Sequence, residues 1–327
     1  MGPRGALFPC VRQLQRAHHG PTVFFFWNAD VCYRIFKYIR LICNAVGFWR
    51  IRPKPILDDP KFTNQDATVI VPSLLDGDEQ AFKDTMRSIL KNDPYEVILI
   101  TTDAKLHDAN RIADELSKKI TVESVRQANK RRQMIKGLAL VSTAITIFAD
   151  DDVLWPSTLM PWMLAPFEDP RMGGVGTNQR LRYKSDSPAW LDFNFWEFLG
   201  AAYLIRRNWD CAACTWWDGG LPCLSGRTVA YRTEIVSGEE FKHEFEHETW
   251  RTYQLNADDD NFLTRWMVNH GWKTWIQFHR DCEVLTTLED NPKYMKQCFR
   301  WARSNWRSNL KSLFKECTVW RYVVFIS

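Results

Sequence analysis

Three aspartates in a row, Asp150, Asp151 and Asp152, follow the apolar run "AITIFA" at 144–149. Adjacent carboxylates repel, so such a cluster is costly unless water reaches it or a cation sits among the oxygens. Asp150 and Asp152 form a D-x-D at a strand end, and two carboxylates so spaced can share a hard divalent cation. Such a cation neutralises a diphosphate leaving group and acts as a Lewis acid. A second triplet, Asp258 to Asp260, opens the stretch "DDDNFLTRW". Helix capping and the helix dipole account for Asp258 and Asp259. Asp260 exceeds that need and is a candidate general base for an acceptor hydroxyl. Lys130, Arg131 and Arg132 in "NKRRQMIK" offer charge to phosphates. Singly, these features also suit a solvated loop, a cap and a solvated helix face. Together they describe transfer from a nucleotide-diphosphate compound.

The flanking pattern supplies a frame for these groups. "ATVIVPS" (67–73), "YEVILIT" (95–101), "ITVES" (120–124) and "AITIFA" (144–149) read as strands. Helical spacing fills the intervals at 79–91, 108–119 and 129–143. Alternating strands and helices predict an α/β fold with a mainly parallel sheet. Ligands in such sheets sit beyond the carboxyl ends of the strands, where Ser73, Asp103 and Asp150–Asp152 should converge. There is no G-x-G-x-x-G and no Walker A loop, which disfavours dinucleotide and P-loop chemistry. Further on, "GGVGTNQRLRY" (173–183) predicts one more strand. The stretches at 190–209 and 291–314 predict helices, and 256–276 places the second acidic triplet at a helix start.

The 327 residues, 45% hydrophobic and 25% charged, exclude a disordered chain. A net charge of +4 is too small to imply nucleic acid. The 16 tryptophans fit sugar stacking, a membrane-interface belt or an aromatic core. Nine cysteines show no regular frame, and Cys211 with Cys214 supplies too few ligands to close a zinc tetrahedron, even with Cys223 in view. With no secretory signal pattern, the cysteines are expected to be reduced and cytosolic. Arg34, Lys37 and Arg40 oppose Ile35, Tyr38, Ile39 and Ile42, the pattern of a basic helix lying in a membrane interface. No uncharged apolar run is long enough to span a bilayer. The final "VWRYVVFIS" looks like the opening of an apolar helix that is then cut off.

The segments "VIVPS" (69–73), "FADDDVLWP" (148–156), "CLSGRTVAYR" (223–232), "ADDDNFLTRW" (257–266) and "QCFRW" (297–301) stand in one characteristic order. In them the chain resembles the processive family 2 glycosyltransferases, which include hyaluronan, chitin and cellulose synthases. It looks most like fungal polysaccharide synthases of the hyaluronan-synthase type. The resemblance covers about residues 65 to 310, and Q-x-x-R-W is its most specific element. It implies a GT-A fold, Rossmann-like, with amphipathic membrane-interface helices at both ends. The implied division is 1–60 for the membrane-associated segment and linker, 61–285 for the catalytic domain, and 286–327 for the Q-x-x-R-W helix and a truncated membrane region.

The same resemblance implies roles. Asp150 and Asp152 would hold Mg²⁺ or Mn²⁺, and Asp260 would be the general base. Ser73, Asp103, Lys130, Gln297, Arg300 and Trp301 would bind a UDP-sugar donor. Ser225, Gly226 and Trp301 would receive the glycan acceptor. Asp103 departs from the pattern, standing in "ITTDAK" without the glycine and serine that often follow. The expected activity is inverting, metal-dependent extension of a β-linked polysaccharide at the cytosolic face of a membrane. The alternatives are a non-processive transferase acting on a lipid or protein, a degenerate glycan-binding subunit, and a nucleotidyltransferase, which gives Gln297 to Trp301 no role.

Overall fold

The computed structural model describes residues 21–183, 193–221, 223–256, 258–317 and 320. The chain divides into two compact units between Val46 and Gly47, within a helix, α1 (Pro21–Arg50). In the first unit Ile35, Tyr38, Ile39 and Ile42 are exposed. Among the described residues no helix is long and apolar enough to cross a membrane. Most of the closing "VWRYVVFIS" lies outside the described residues.

The second unit is built on a seven-stranded sheet. Its first four strands are β1 (Ala67–Pro72), β2 (Glu96–Thr102), β3 (Ile120–Val125) and β4 (Ile145–Ala149). They alternate with α2 (Glu79–Leu90), α3 (Leu106–Leu116) and α4 (Lys130–Leu138). The predicted third helix therefore ends earlier than position 143. Beyond β5 (Val153–Leu154) and α5 (Leu159–Leu164), the expected strand at 173–183 is two strands, β6 (Met172–Thr177) and β7 (Gln179–Leu181). They part at Asn178, whose carbonyl accepts from Val284 N and whose amide donates to Glu283. The aromatic stretch forms α6 (Phe195–Trp217). After it come β8 (Thr228–Arg232), α7 (Thr233–Val236), α8 (Glu239–His247), and the short hairpin of β9 (Thr249–Trp250) with β10 (Tyr253–Gln254). The chain continues through α9 (Asp259–Asn269), β11 (Lys273–Gln277), β12 (Val284–Thr286) and α10 (Lys293–Leu310).

The sheet order is β11-β6-β8-β4-β1-β2-β3. Six strands run one way, and β8 alone is antiparallel to both its neighbours. A second sheet, β5-β12-β7, sits beside it. The central strands are buried on both faces, as parallel strands flanked by helices must be. In β1, Val69 and Val71 join one core with Met86, Leu99 and Phe167, while Ile70 joins the other with Met134, Phe148 and Phe245. The order reverses at β1, so a crevice opens between the carboxyl ends of β1 and β4, the position that favours ligands. Cys211 and Cys214 are buried thiols in the second core. Burial pushes the Cys211 thiol up, which suits packing rather than metal ligation.

Candidate active site

The crevice is a cleft of about 740 Å³ whose lining includes Ser73, Lys130, Asp150, Asp151, Asp152 and Thr287. Each carboxylate of the first triplet is received by a different element. The Asp150 carboxylate lies 2.7 Å from Lys130 Nζ, at the start of α4. Asp151 accepts a 2.5 Å hydrogen bond from Ser73 Oγ at the end of β1. Asp152 accepts one of 2.8 Å from Thr287 Oγ1, just past β12. Burial and the adjacent Asp150 charge raise Asp151 above the usual carboxylate range. Burial, with Asp150 and Asp151 alongside, pushes Asp152 up to about 6 despite the Thr287 hydrogen bond and the Arg227 charge.

The second triplet reaches the same place from the other side. Asp259 Oδ2 is 3.2 Å from Lys130 Nζ, so one ammonium spans both acid clusters. Burial opposes the charge on Lys130, yet Asp150, Asp259 and Asp260 hold it above the ordinary lysine range. Asp258 caps α9 from a left-handed conformation, φ +66°, which side chains other than glycine and asparagine or aspartate rarely adopt. Its carboxylate accepts from Ser304 Oγ and Arg307 Nη2 of α10. Burial and Asp259 raise Asp260, while Lys130 and a Cys223 hydrogen bond work against that rise. Gly226 packs close by: a Cβ there would come 3.2 Å from Asp259 Oδ2 and 3.7 Å from Asp260 Cβ. A larger residue at 226 would press into the Lys130–Asp259 pair.

The antiparallel strand explains how "LSGR" arrives here. Pairing of β8 with β4 lets Asp150 N donate to Arg227 O at 3.0 Å. Ser225 is buried, and its Oγ accepts from Arg227 Nη1 at 3.4 Å. The Arg227 guanidinium carbon lies 5.5 Å from the Trp301 ring centroid. Trp301 in turn stacks on Tyr203 of α6 at 4.9 Å and 16°. Gln297 Oε1 accepts from Glu289 N at 3.5 Å, tying α10 to the loop after β12. Arg300 is exposed and has no ion-pair partner among the described residues.

Of the residues expected from sequence, Ser73, Lys130, Asp150, Asp152, Gly226 and Asp260 are therefore brought together. Trp301 and Ser225 join them through Arg227. Asp103 stands apart: it is exposed at the end of β2, accepts from Ser124 Oγ at 2.6 Å, and does not line the cleft. Arg131 and Arg132 turn away from the phosphate role suggested by their sequence. Arg131 is buried, 2.8 Å from Glu248, and Arg132 pairs with Glu246 at 3.0 Å. Sequence reasoning missed Arg227, Tyr203, Thr287 and Glu248. Arg227 alone had a local signal, its place beside the small residues of "LSGR".

Among the described residues no group of three or more His, Cys, Asp or Glu is arranged to hold a metal by itself. The donor set still fits one. The ligating atoms are carboxylate oxygens, and Asp152, pushed up by burial and then by the charge of its neighbours, marks a place where a cation would relieve repulsion. Mg²⁺ is typically held by one or two carboxylates completed by substrate phosphates. Asp150 and Asp152 offer that arrangement.

Residues 65–304 match the model of the glycosyltransferase-like family 2, and the chain belongs to that family. A type 2 glycosyltransferase of Zymoseptoria tritici is 54% identical over 296 residues, covering 90% of this chain and 61% of that protein. Human hyaluronan synthase 3 is 26% identical over 167 residues, 50% of this chain and 28% of that protein. A mannosyltransferase of Pyrobaculum calidifontis, solved with GDP-Man and Mn²⁺, superposes with a TM-score of 0.57 at 18% identity, covering 85% of this chain and 73% of that one. That likeness shows the GT-A fold. The chain spans 54–61% of the length of the type 2 glycosyltransferases it matches.

Proposed function

We propose that this chain is an inverting, metal-dependent glycosyltransferase that moves a sugar from a UDP-sugar onto a growing β-linked polysaccharide at the cytosolic face of a membrane. One observation carries the reading. Lys130 Nζ lies 2.7 Å from Asp150 and 3.2 Å from Asp259, so one ammonium joins the candidate metal carboxylates to the triplet that carries the candidate base. Asp150 and Asp152 would hold Mg²⁺ or Mn²⁺, which when bound offsets the charge of the diphosphate leaving group. Asp260 takes the proton from the acceptor hydroxyl, whose oxygen attacks the anomeric carbon from the face opposite the diphosphate. Its raised pKa suits a base that must hold that proton. Ser225 and Gly226 leave room for the acceptor, and Trp301 faces its end. Gln297 and Arg300 would serve the diphosphate and Ser73 the nucleoside, while Asp103, which does not line the cleft, is left without a role.

The Pyrobaculum enzyme's GDP-Man and Mn²⁺ support a nucleotide-diphospho-sugar and a divalent metal as the classes. The preference for uridine and for processive extension rests on the resemblance to hyaluronan synthases. In this reading residues 61–285 do the chemistry, while 1–60 and 286–327 meet the lipid surface. Exposed Ile35, Ile39 and Ile42 on α1, and Phe299 and Trp306 with Arg303 on α10, support that contact. The test is radiolabelled sugar incorporation from a panel of UDP-sugars with and without EDTA. Loss on chelation and recovery with Mn²⁺ or Mg²⁺ is expected; full activity in EDTA refutes the metal role. Product length separates polymer extension from single transfer to a lipid or protein. A chain that binds no nucleotide by calorimetry is a glycan-binding subunit instead.

A further inference from the structure

A diphosphate entering this cleft meets walls that already carry Asp150, Asp151 and Asp152, so it needs cations whose charge is not committed elsewhere. Lys130 does not qualify, because Asp150 and Asp259 hold its ammonium at 2.7 and 3.2 Å. Arg111, on another wall, is held by Glu79 and Glu115 at 2.7 and 3.0 Å.

Besides Arg300 on α10, two guanidinium groups stand near the first triplet. Arg182 lines the cleft and forms no ion pair among the described residues. Its backbone N–H donates to Thr286 O at 2.8 Å, which fixes it beside the strand end whose next residue, Thr287, holds Asp152. Arg227 lies just outside the cleft lining, held beside the first triplet by the Asp150 N–H bond to its carbonyl. Among the described residues its guanidinium hydrogen-bonds to neutral acceptors, Gln179 Oε1 at 3.1 Å and Ser225 Oγ at 3.4 Å, both through Nη1, and its charge acts on Asp152 without an ion-pair contact. Its Nε and Nη2 donors are unspent among the described residues. Gln179, 2% exposed, keeps Nε2 without a partner among the described residues. Unsatisfied donors buried beside a charged fork mark a place built for an oxygen-rich anion.

We propose that Arg182 and Arg227 form the pair that binds the donor's diphosphate, and that Lys130 is the internal counter-ion joining the two acid clusters. Arginine's planar fork suits phosphate oxygens better than a point charge does. This rests on the nucleotide-diphospho-sugar reading of the cleft. It shifts the phosphate role from the lysine that sequence favours to two arginines that sequence passes over.

The test is calorimetric titration of the full chain with UDP, with GDP and with uridine, in Mn²⁺, for wild type, Arg182→Gln, Arg227→Gln and Arg227→Lys. Each glutamine variant should bind UDP roughly tenfold more weakly, while uridine affinity changes less than about twofold. Added salt should weaken UDP binding more in wild type than in either glutamine variant. Arg227→Lys should recover part of the loss. Thermal unfolding of each variant checks the fold, and if Arg227→Gln does not fold, Arg227→Lys and Arg182→Gln decide. Folded glutamine variants with wild-type UDP affinity overturn the pair alone. A wild type that binds neither UDP nor GDP overturns the cleft reading and the pair with it.

Discussion

The two acidic triplets are identical in composition and opposite in construction. Asp150 to Asp152 follow a strand, and their side chains diverge to Lys130, Ser73 and Thr287, on three separate elements. Asp258 to Asp260 open a helix and are held from behind. Arg131 donates to Asp258 O at 3.2 Å and to Glu248 at 2.8 Å. Glu248 also meets Lys311 at 2.8 Å and Arg265. The first triplet is thus left with uncompensated charge facing the cleft. The second is braced by a buried ion network that ties α4, α9 and α10 together. A cluster open to a cation and a cluster braced to hold one proton acceptor in place call for different supports, and three consecutive aspartates receive each kind.

The comparison breaks first at Asp260. Replacing it with Asn should lower kcat by roughly 10²- to 10⁴-fold, the usual contribution of a general base. Nucleotide affinity should stay within about twofold, because the diphosphate ligands are untouched. Initial rates paired with calorimetry check this, and a fully active variant removes the base.

Next comes the brace. Glu248→Gln leaves Arg131 and Arg265 buried without their carboxylate and should cost about 3 kcal/mol of stability, the order found when a buried ion pair loses one partner. Burial alone would raise the Glu248 carboxyl, but Arg265, Arg131 and Lys311 together hold it below the usual range. Its contribution is therefore complete above the unfolded value near 4.5 and is lost as pH falls through the lower folded value. Denaturant melts at pH 7 and near pH 3 should show the variant's deficit shrinking at the acid end.

The first triplet should behave in the reverse sense. Asp152 rises from 3.8 to about 6, so the metal-free folded chain binds its proton more tightly than the unfolded chain. Stability should fall as pH rises from about 4 to 6. Asp152→Asn should raise metal-free stability at pH 7 by about 1–2 kcal/mol while weakening Mn²⁺-dependent nucleotide binding. A variant less stable than wild type would show that Asp152 is a structural acceptor for Thr287.

The smallest effect separates backbone from side chain at Asp258. Glycine and alanine both lose the contacts to Ser304 and Arg307, but only glycine adopts φ +66° without strain. Asp258→Gly should be more stable than Asp258→Ala by about 1 kcal/mol. Equal values would show that the brace, rather than the left-handed turn, sets the start of α9.

Much of the frame was legible in local pattern. Period and length place β1 to β4, α2 and α3, because each buries a face that its own residues specify. The D-x-D after β4 and the Gln297–Trp301 element are contiguous, so they survive reading in one dimension. Chemistry at a strand's carboxyl end follows from the alternation of strands and helices alone.

What stayed hidden is set by contacts between distant segments. "RTVAYR" shows no direction, yet its antiparallel insertion between β4 and β6 brings Arg227 to Asp150. Asn178 divides one apparent strand between two sheets. Lys130 looks like a phosphate ligand until Asp150 and Asp259 are seen to share it, whereas Arg182 looks like a surface residue until the cleft forms around it. By itself, the sequence determined which segments are strands and helices and which contiguous acids face their ends. Only the tertiary structure decided which charges are cancelled and which remain, because the partner of a buried charge is chosen by strand order and packing rather than by its neighbours along the chain.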